Sequence, residues 1–328
     1  MGLIDYAMDA FRFKETYFYK ENSDLQDKYN ALIKLTAEYP NNSELQNELF
    51  IVKKGLDGEN EIAYQLKKSK IGMIVLRDVK VRFEDLTAQI DYVIVTPVFT
   101  YYIECKNLVG NITVTDKGDF IREFSVNGRK VKKGMYSPLR QVEAQREVIR
   151  KIWERDSSAV KKLFAAKYFD YFRRVLVVAA NQDTILNTNR APKDMKYKIL
   201  RADALVRQIE YDINHKDEND PIESRKGMEK IAQTYTDMLE IDDTNYYEYY
   251  KEKYCNNVSD EGLKEKLVQF RKTRSNEMNI PAYYVFTNDE LEKLIELHPR
   301  TLEELKKSNI LSPIKVKTHG EQIISILK

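Results

Sequence analysis

The stretch Ile90-Asp91-Tyr92-Val93-Ile94-Val95-Thr96-Pro97-Val98-Phe99-Thr100-Tyr101-Tyr102-Ile103-Glu104-Cys105-Lys106 decides the fold. Its β-branched and aromatic residues read as two strands, Gln89 to Thr96 and Phe99 to Cys105, which a turn around Pro97 makes antiparallel neighbours. Strand side chains alternate faces, so Glu104 and Lys106 point to one side and Cys105 to the other, into the core. Asp91 lies in an apolar strand, where an ionised carboxylate is costly unless a cation or donors compensate it. An Asp, a Glu and a Lys can therefore meet on one sheet face.

Further strands and helices frame this pair. Ile71 to Val81 reads as a preceding strand, and a helix runs before it from Gly55 through Leu66. At helical spacing Glu59 shares the stripe of Ile62, Ala63 and Leu66, whereas Glu61 falls with Gln65 and Lys68 on the polar side. Downstream, Lys117-Gly118 and Asn127-Gly128 mark two hairpins. Ser137-Pro138 then opens a helix through Trp153, on which Gln141 and Gln145 extend the stripe of Val148 and Ile152. Val175 to Ala180 and Tyr197 to Leu200 read as short buried strands, and Ala202 to Ile213 as a helix. The order is α, β-meander, α, β, β, α.

The pattern divides the chain into four parts: a helical N-terminal segment (1–47), an α/β domain (48–213), an acidic Tyr-rich helical connector (214–260) and a small all-α domain (261–328). In the last, Thr287-Asn288-Asp289-Glu290 and Thr301-Leu302-Glu303-Glu304 are capping-box patterns that each open an apolar-periodic segment.

Composition narrows the function classes. A hydrophobic share of 42% with 32% charged residues is that of a globular protein with a real core. Only 11 Gly and 8 Pro speak against Gly-rich nucleotide loops and low-complexity sequence. The net charge of +2 excludes a uniformly basic nucleic-acid wrapper but hides two opposed segments. Arg122 to Arg174 holds 15 Lys or Arg against 6 acids, and Glu210 to Glu261 holds 15 acids against 6 bases. Arg129, Lys130, Lys132 and Lys133, with Arg146 on the following helix, could hold a phosphate backbone; the alternative is a solvated face. Cys105 and Cys255 match no disulfide or zinc spacing, and a reducing cytoplasm fits them. No apolar run approaches a membrane span, and the N-terminus lacks the pattern of a signal peptide. His215, His298 and His319 form no metal or triad spacing.

The Gly58-Glu59 helix, Ile90-Asp91, Glu104-Cys105-Lys106, Gly110-Asn111-Ile112 and Ser137-Pro138-Leu139 with Gln141 together resemble the PD-(D/E)XK phosphodiesterase superfamily, and within it the nuclease-related domain, NERD. The resemblance covers roughly Glu48 to Ile213, with Ile90 standing where the superfamily often has proline. It implies a restriction-endonuclease-like mixed sheet flanked by helices. It also implies Mg²⁺ (or Mn²⁺) held by Asp91, Glu104 and the Cys105 carbonyl, with Lys106 orienting a water or neutralising phosphorane charge. By the same resemblance Glu59 binds or positions the metal through water, and Gln141 holds substrate or Glu104.

Leu267-Val268-Gln269-Phe270-Arg271, Ile280-Pro281-Ala282-Tyr283-Tyr284-Val285-Phe286, Asp289-Glu290-Leu291 and Pro299-Arg300-Thr301-Leu302 resemble the HRDC domain found beside helicases. Asn309-Ile310-Leu311 replaces that family's Gly-hydrophobic-Gly turn. Together the two resemblances imply a metal-dependent deoxyribonuclease, in DNA repair or defence against foreign DNA. Its partners would be DNA and a helicase or other DNA-processing protein, with no membrane; a homodimer stays open. A catalytically silent nucleic-acid-binding adaptor and a helicase-recruiting scaffold are the alternatives, and intact Asp91, Glu104 and Lys106 favour the enzyme.

Overall fold

The computed structural model describes residues 13–126, 128–155, 168–256, 260–299 and 301–327. Two units emerge: residues 1–34 with 46–244, and residues 35–45 with 245–328.

In chain order the first unit's elements are β1 (Thr16–Lys20), α1 (Asp24–Glu38), α2 (Ser43–Lys67), β2 (Met73–Phe83), β3 (Leu86–Val95), β4 (Thr100–Lys106), β5 (Asn111–Val114), β6 (Phe120–Val126), β7 (Arg129–Met135), α3 (Pro138–Arg155), β8 (Arg173–Ala179), β9 (Leu186–Asn187), β10 (Ile199–Arg201), α4 (Ala202–Asn214) and α5 (Arg225–Asp237). The ends of α1 and α2 that flank residues 39–42 fall in the second unit. The main sheet is mixed, in the order β1-β2-β3-β4-β8-β10. The β2-β3-β4 meander is antiparallel, while β1, β8 and β10 join by parallel pairing.

Alternation along the strands gives this sheet two buried faces. Ile74, Leu76, Val93, Val95, Tyr102, Val175 and Val177 pack with Leu139, Val142, Ile149 and Ile152 of α3 and with Met228, Ala232 and Tyr235 of α5. Met73, Val75, Tyr92, Ile94, Tyr101, Ile103, Leu176 and Val178 pack on the other side with α2 and α4. Full burial of each such side chain stabilises by roughly 1.5–3 kcal/mol, so the sheet is a rigid base for groups at its ends. The restriction-endonuclease-like expectation of a mixed sheet flanked by helices is met.

Three expectations need correction. The N-terminal segment is not wholly helical, because Thr16–Lys20 adds a parallel strand beside β2; five residues are too few for periodicity to separate them from flanking helix. Residues 1–12 of that segment lie outside the described residues. The hairpins at Lys117-Gly118 and Gly128 do not extend the main sheet but form a second one, β7-β6-β5-β9; Asn127 lies outside the described residues. The acidic connector is in part core. Helix α5 packs on the sheet, the Tyr235 and Tyr102 hydroxyls are hydrogen-bonded at 2.7 Å, and Leu239 bridges to Val81.

The second unit is helical, with α6 (Tyr246–Lys251), α7 (Asp260–Met278), α8 (Asn288–Leu297), α9 (Leu302–Lys307) and α10 (Pro313–Leu327). Leu263, Leu267, Phe286, Leu294, Leu305, Ile323 and Leu327 form its core. Thr287 and Glu290 make a reciprocal capping box, and Thr301 accepts from the Glu304 amide. Asn309 takes φ +53° in the Asn309-Ile310-Leu311 turn, the left-handed geometry that asparagine tolerates better than most residues. His319 is buried and packs edge-on against Phe270.

Candidate active site

A kink at the end of the meander creates the site. The registered pairs Arg77↔Tyr92 and Val79↔Ile90 flank Asp78 and Asp91, and Asp78 takes φ +54°. Leu76 and Val79 on β2, and Val93 and Ile90 on β3, all face the same core cluster, so both strands change their inward-facing parity at this point. Simple alternation, on which the sequence reading relied, fails here. Registered pairing of β3 with β4 ends at Tyr92↔Ile103, and the Cys105 backbone N–H donates instead to Asp91 Oδ2 at 2.6 Å.

Glu104 is 2% exposed. Its Oε1 accepts from Lys106 Nζ at 2.5 Å, and the ammonium reaches Gln141 Oε1 at 3.3 Å. Its Oε2 lacks a hydrogen bond of good geometry among the described residues, although the Gln145 and Gln141 amides stand near enough to favour the charged carboxylate. Burial and then the Glu104 charge push the Asp91 carboxyl well above its ordinary range, against the Cys105 N–H. Burial likewise raises Glu104, with Lys106 the largest opposing influence. Two carboxylates thus stand close enough to repel each other. Burial also pushes the Cys105 thiol up, which keeps it neutral and leaves only its backbone for function.

Helix α2 delivers Glu59. Gly58 permits this: a Cβ there would lie 2.5 Å from Asn107 Cβ and 3.2 Å from Cys105 Sγ. Tyr92 Oη donates to the Glu59 carbonyl at 2.7 Å, pinning the helix beside Asp91. The Glu59 side chain points inward as its helical phase predicts, while Glu61 accepts from Gln65 and Gln182 at the surface. Glu59 is not free, however. Its Oε2 accepts from Arg77 Nε at 2.8 Å and from Ser23 Oγ at 3.0 Å. Burial raises its pKa and these two donors pull it back.

Arg77, Ser23 and the neighbouring Lys20 were not singled out from the sequence. Lys20 Nζ donates to the carbonyls of Asn22, Arg77 and Asp78 at 2.8–2.9 Å. The signal was present, since Arg77-Asp78 interrupts the apolar run from Ile71 to Val81 just as Asp91 interrupts its own strand.

Residues 54–179 match the family described as the nuclease-related domain, NERD, and residues 260–327 match the HRDC domain. The chain carries a nuclease-related domain and an HRDC domain. All of Glu59, Asp91, Glu104, Cys105, Lys106 and Gln141 fall within the NERD match. Among solved structures, D. radiodurans RecQ HRDC domain 3 is 33% identical over 21% of this chain and 92% of that chain, with a TM-score of 0.21. No curated protein matches the chain.

In the NERD domain, Arg129, Lys130, Lys132 and Lys133 are exposed along β7, with Lys132 3.1 Å from Glu123 on β6. Arg146 departs from the expected basic surface. Its guanidinium is turned inward onto the Arg173 carbonyl at 3.2 Å and Asp170 at 3.5 Å. Gln145 donates to the Gln89 carbonyl at 2.6 Å and ties α3 to β3. No three His, Cys, Asp or Glu among the described residues form a group that could hold a metal. No described helix is long and apolar enough to cross a membrane.

Proposed function

We propose that the NERD domain hydrolyses DNA phosphodiester bonds with a divalent cation, Mg²⁺ or Mn²⁺, and that the HRDC domain directs it to nucleic acid or to a DNA-processing partner. The observation that carries this reading is the Asp91–Glu104–Lys106 cluster, in which the Asp91 carboxyl and the buried Glu104 carboxyl stand close together and burial, then the Glu104 charge, raises the proton affinity of Asp91. Oxygen-only acceptors in that state suit a hard cation. Asp91, Glu104 and the Cys105 carbonyl would hold it. When bound, such an ion supplies an acidified water and a counter-charge for the phosphoryl oxygens.

The chain's own groups do the remaining work. Lys106 offers a donor beside Glu104 to a water or to a phosphoryl oxygen that gains charge, and Gln141 holds that ammonium in place. Substrate phosphates would be drawn in by the exposed cations of β7. Repair or defence against foreign DNA is the setting in which such a domain pair would serve.

A specific observation also favours a second reading, a non-cleaving DNA-binding adaptor: Glu59 spends an oxygen on Arg77 and Ser23. One experiment separates the two. Linear, nicked, circular and single-stranded DNA are incubated with the protein and Mg²⁺ or Mn²⁺, in parallel with Asp91→Asn, Glu104→Gln and Lys106→Ala. Cleavage by the parent, abolished in all three folded variants with DNA binding retained, supports hydrolysis. Binding without cleavage by the parent selects the adaptor.

A further inference from the structure

The β6–β7 hairpin of the second sheet is a two-stranded arm whose free end lies beyond that sheet. Strand β7 pairs with β6 along its whole length, from Phe120↔Met135 to Val126↔Arg129, whereas β5 pairs with β6 only as far as Asn111↔Glu123. Phe124 to Val126 and Arg129 to Val131 therefore form a ribbon with no third strand among the described residues. Its root is fixed: a Cβ on Gly110 would lie 2.3 Å from the Glu123 carbonyl oxygen, and Arg122 Nε donates to the Val109 carbonyl at 2.7 Å. Directly opposed residues of an antiparallel pair share a face, so Arg129 stands with Val126 on one face and Lys130 with Ser125 on the other. All four are exposed, and Phe124 to Val131 contains no acid. Glu123, at the root, pairs with Lys132 at 3.1 Å and only grazes Lys130 at 4.0 Å, whose side chain is 85% exposed. The free end thus carries a cation on each face, which a patch laid flat on a surface would not need.

We propose that this ribbon enters the major groove of duplex DNA beside the NERD site, an inference that rests on the reading of that site as one acting on DNA. The major groove, about 12 Å wide, admits a two-stranded β-ribbon, and phosphates line both its walls, so cations on both faces find partners there. The minor groove, at about 6 Å, is too narrow. Single strands are held differently, by exposed rings on which bases stack. The free end offers none: its one ring, Phe124, is half-buried with the Arg122 guanidinium 4.6 Å over it. Two chain paths tie the ribbon to the reacting groups. Residues 107–110 lead from Lys106 to its root, and β7 runs through Ser137 into α3, where Gln141 meets Lys106 Nζ at 3.3 Å. At about 3.4 Å per residue Arg129 stands roughly 20 Å from Met135, so the groove entered lies within about one helical turn of the bond to be cut.

The test uses the full chain in EDTA with a duplex and a single strand of the same length and sequence. Binding is read by fluorescence anisotropy, and groove entry by dimethyl sulfate footprinting of guanine N7, an atom displayed in the major groove. The parent is expected to bind the duplex more tightly and to protect N7 over a short window. Arg129→Ala combined with Lys130→Ala changes two exposed positions. It should remove that protection and weaken duplex binding about fivefold or more, the scale of one lost groove contact, with a smaller loss on the single strand. Absence of N7 protection in the parent, preference for the single strand, or equal losses on both DNAs in the double variant overturns the proposal. Cleavage is read separately in Mg²⁺ or Mn²⁺. N7 protection by a protein that does not cleave leaves the ribbon's role standing and removes hydrolysis; cleavage without protection does the reverse.

Discussion

Arg77 and Glu59 form an ion pair 2.8 Å long in which both side chains are more than nine-tenths buried. The pairing runs through Nε alone, and Arg77 Nη2 has no hydrogen-bond partner among the described residues. A buried pair of this kind adds little net stability, but removing one member leaves the other charge uncompensated. Its structural consequence is that Glu59 is held fixed on the helix beside Asp91, with burial raising its carboxyl and Arg77 opposing that rise.

Arg77→Met should therefore destabilise the protein by about 3–5 kcal/mol. Adding Glu59→Gln to that variant should restore most of the loss, because no buried charge is then left alone. Urea unfolding of the four members of the cycle measures this. A loss below about 1 kcal/mol for Arg77→Met would show that water or another group compensates Glu59 in solution.

The raised carboxyl groups set a pH dependence opposite to that of ordinary salt-bridged acids. Asp91 and Glu104 bind their protons more tightly in the folded chain than at the ordinary values of 3.8 and 4.5. The stability they contribute is full below those values and is lost as pH rises through their raised folded values. In metal-free buffer, Asp91→Asn and Glu104→Gln should gain melting temperature relative to the parent as pH rises from about 4 to about 7.5. Mg²⁺ should shrink that difference at the upper end by stabilising only the parent. A difference that stays flat with pH would place both carboxyl groups in solvent-like surroundings.

Much of this site was legible because charge inside an apolar strand is rare and each instance demands a partner. That rule located Asp91, Glu104 and Lys106, and helical phase separated Glu59 from Glu61. The Arg77–Asp78 interruption obeyed the same rule. Its partners are remote in sequence, however, with Ser23 and Lys20 before α1 and Glu59 on α2. The parity change at Asp78 was invisible, because a single non-glycine residue at positive φ leaves no mark on a hydrophobic pattern. Arg146 shows the limit of charge counting. Its sequence neighbours make it look like part of a basic face, and only the fold reveals Asp170 and the Arg173 carbonyl beside it.

That contrast makes DNA binding a test of position and not of composition. Replacing Arg129, Lys130, Lys132 and Lys133 by Ala should weaken binding and lower the log–log salt slope by roughly 0.9 for each duplex phosphate that the protein no longer neutralises. Arg146→Gln should leave the slope unchanged, because its guanidinium is already committed inside the protein. Fluorescence anisotropy across a salt series reads both. An unchanged slope in the β7 variant would make that strand a solvated face.

The HRDC domain is expected to be dispensable for the chemistry. Its core, from Leu263 to Leu327, lies wholly within residues 262–327, and none of the proposed cation ligands comes from it. Removing the chain after about Glu261 also spares the groups that hold residues 39–42 and their flanks. Tyr247 Oη donates to Glu38 at 2.8 Å, and Asn42 Nδ2 donates to the Tyr254 carbonyl at 2.9 Å, both before the cut. The truncated protein should remain folded and cleave short oligonucleotides at the parent's rate, since recruitment hardly matters for them. On long or structured DNA it should fall behind, and the deficit should close as protein concentration is raised. A monodisperse, folded truncation that has lost cleavage of short oligonucleotides would mean that the HRDC domain contributes to the reacting centre itself.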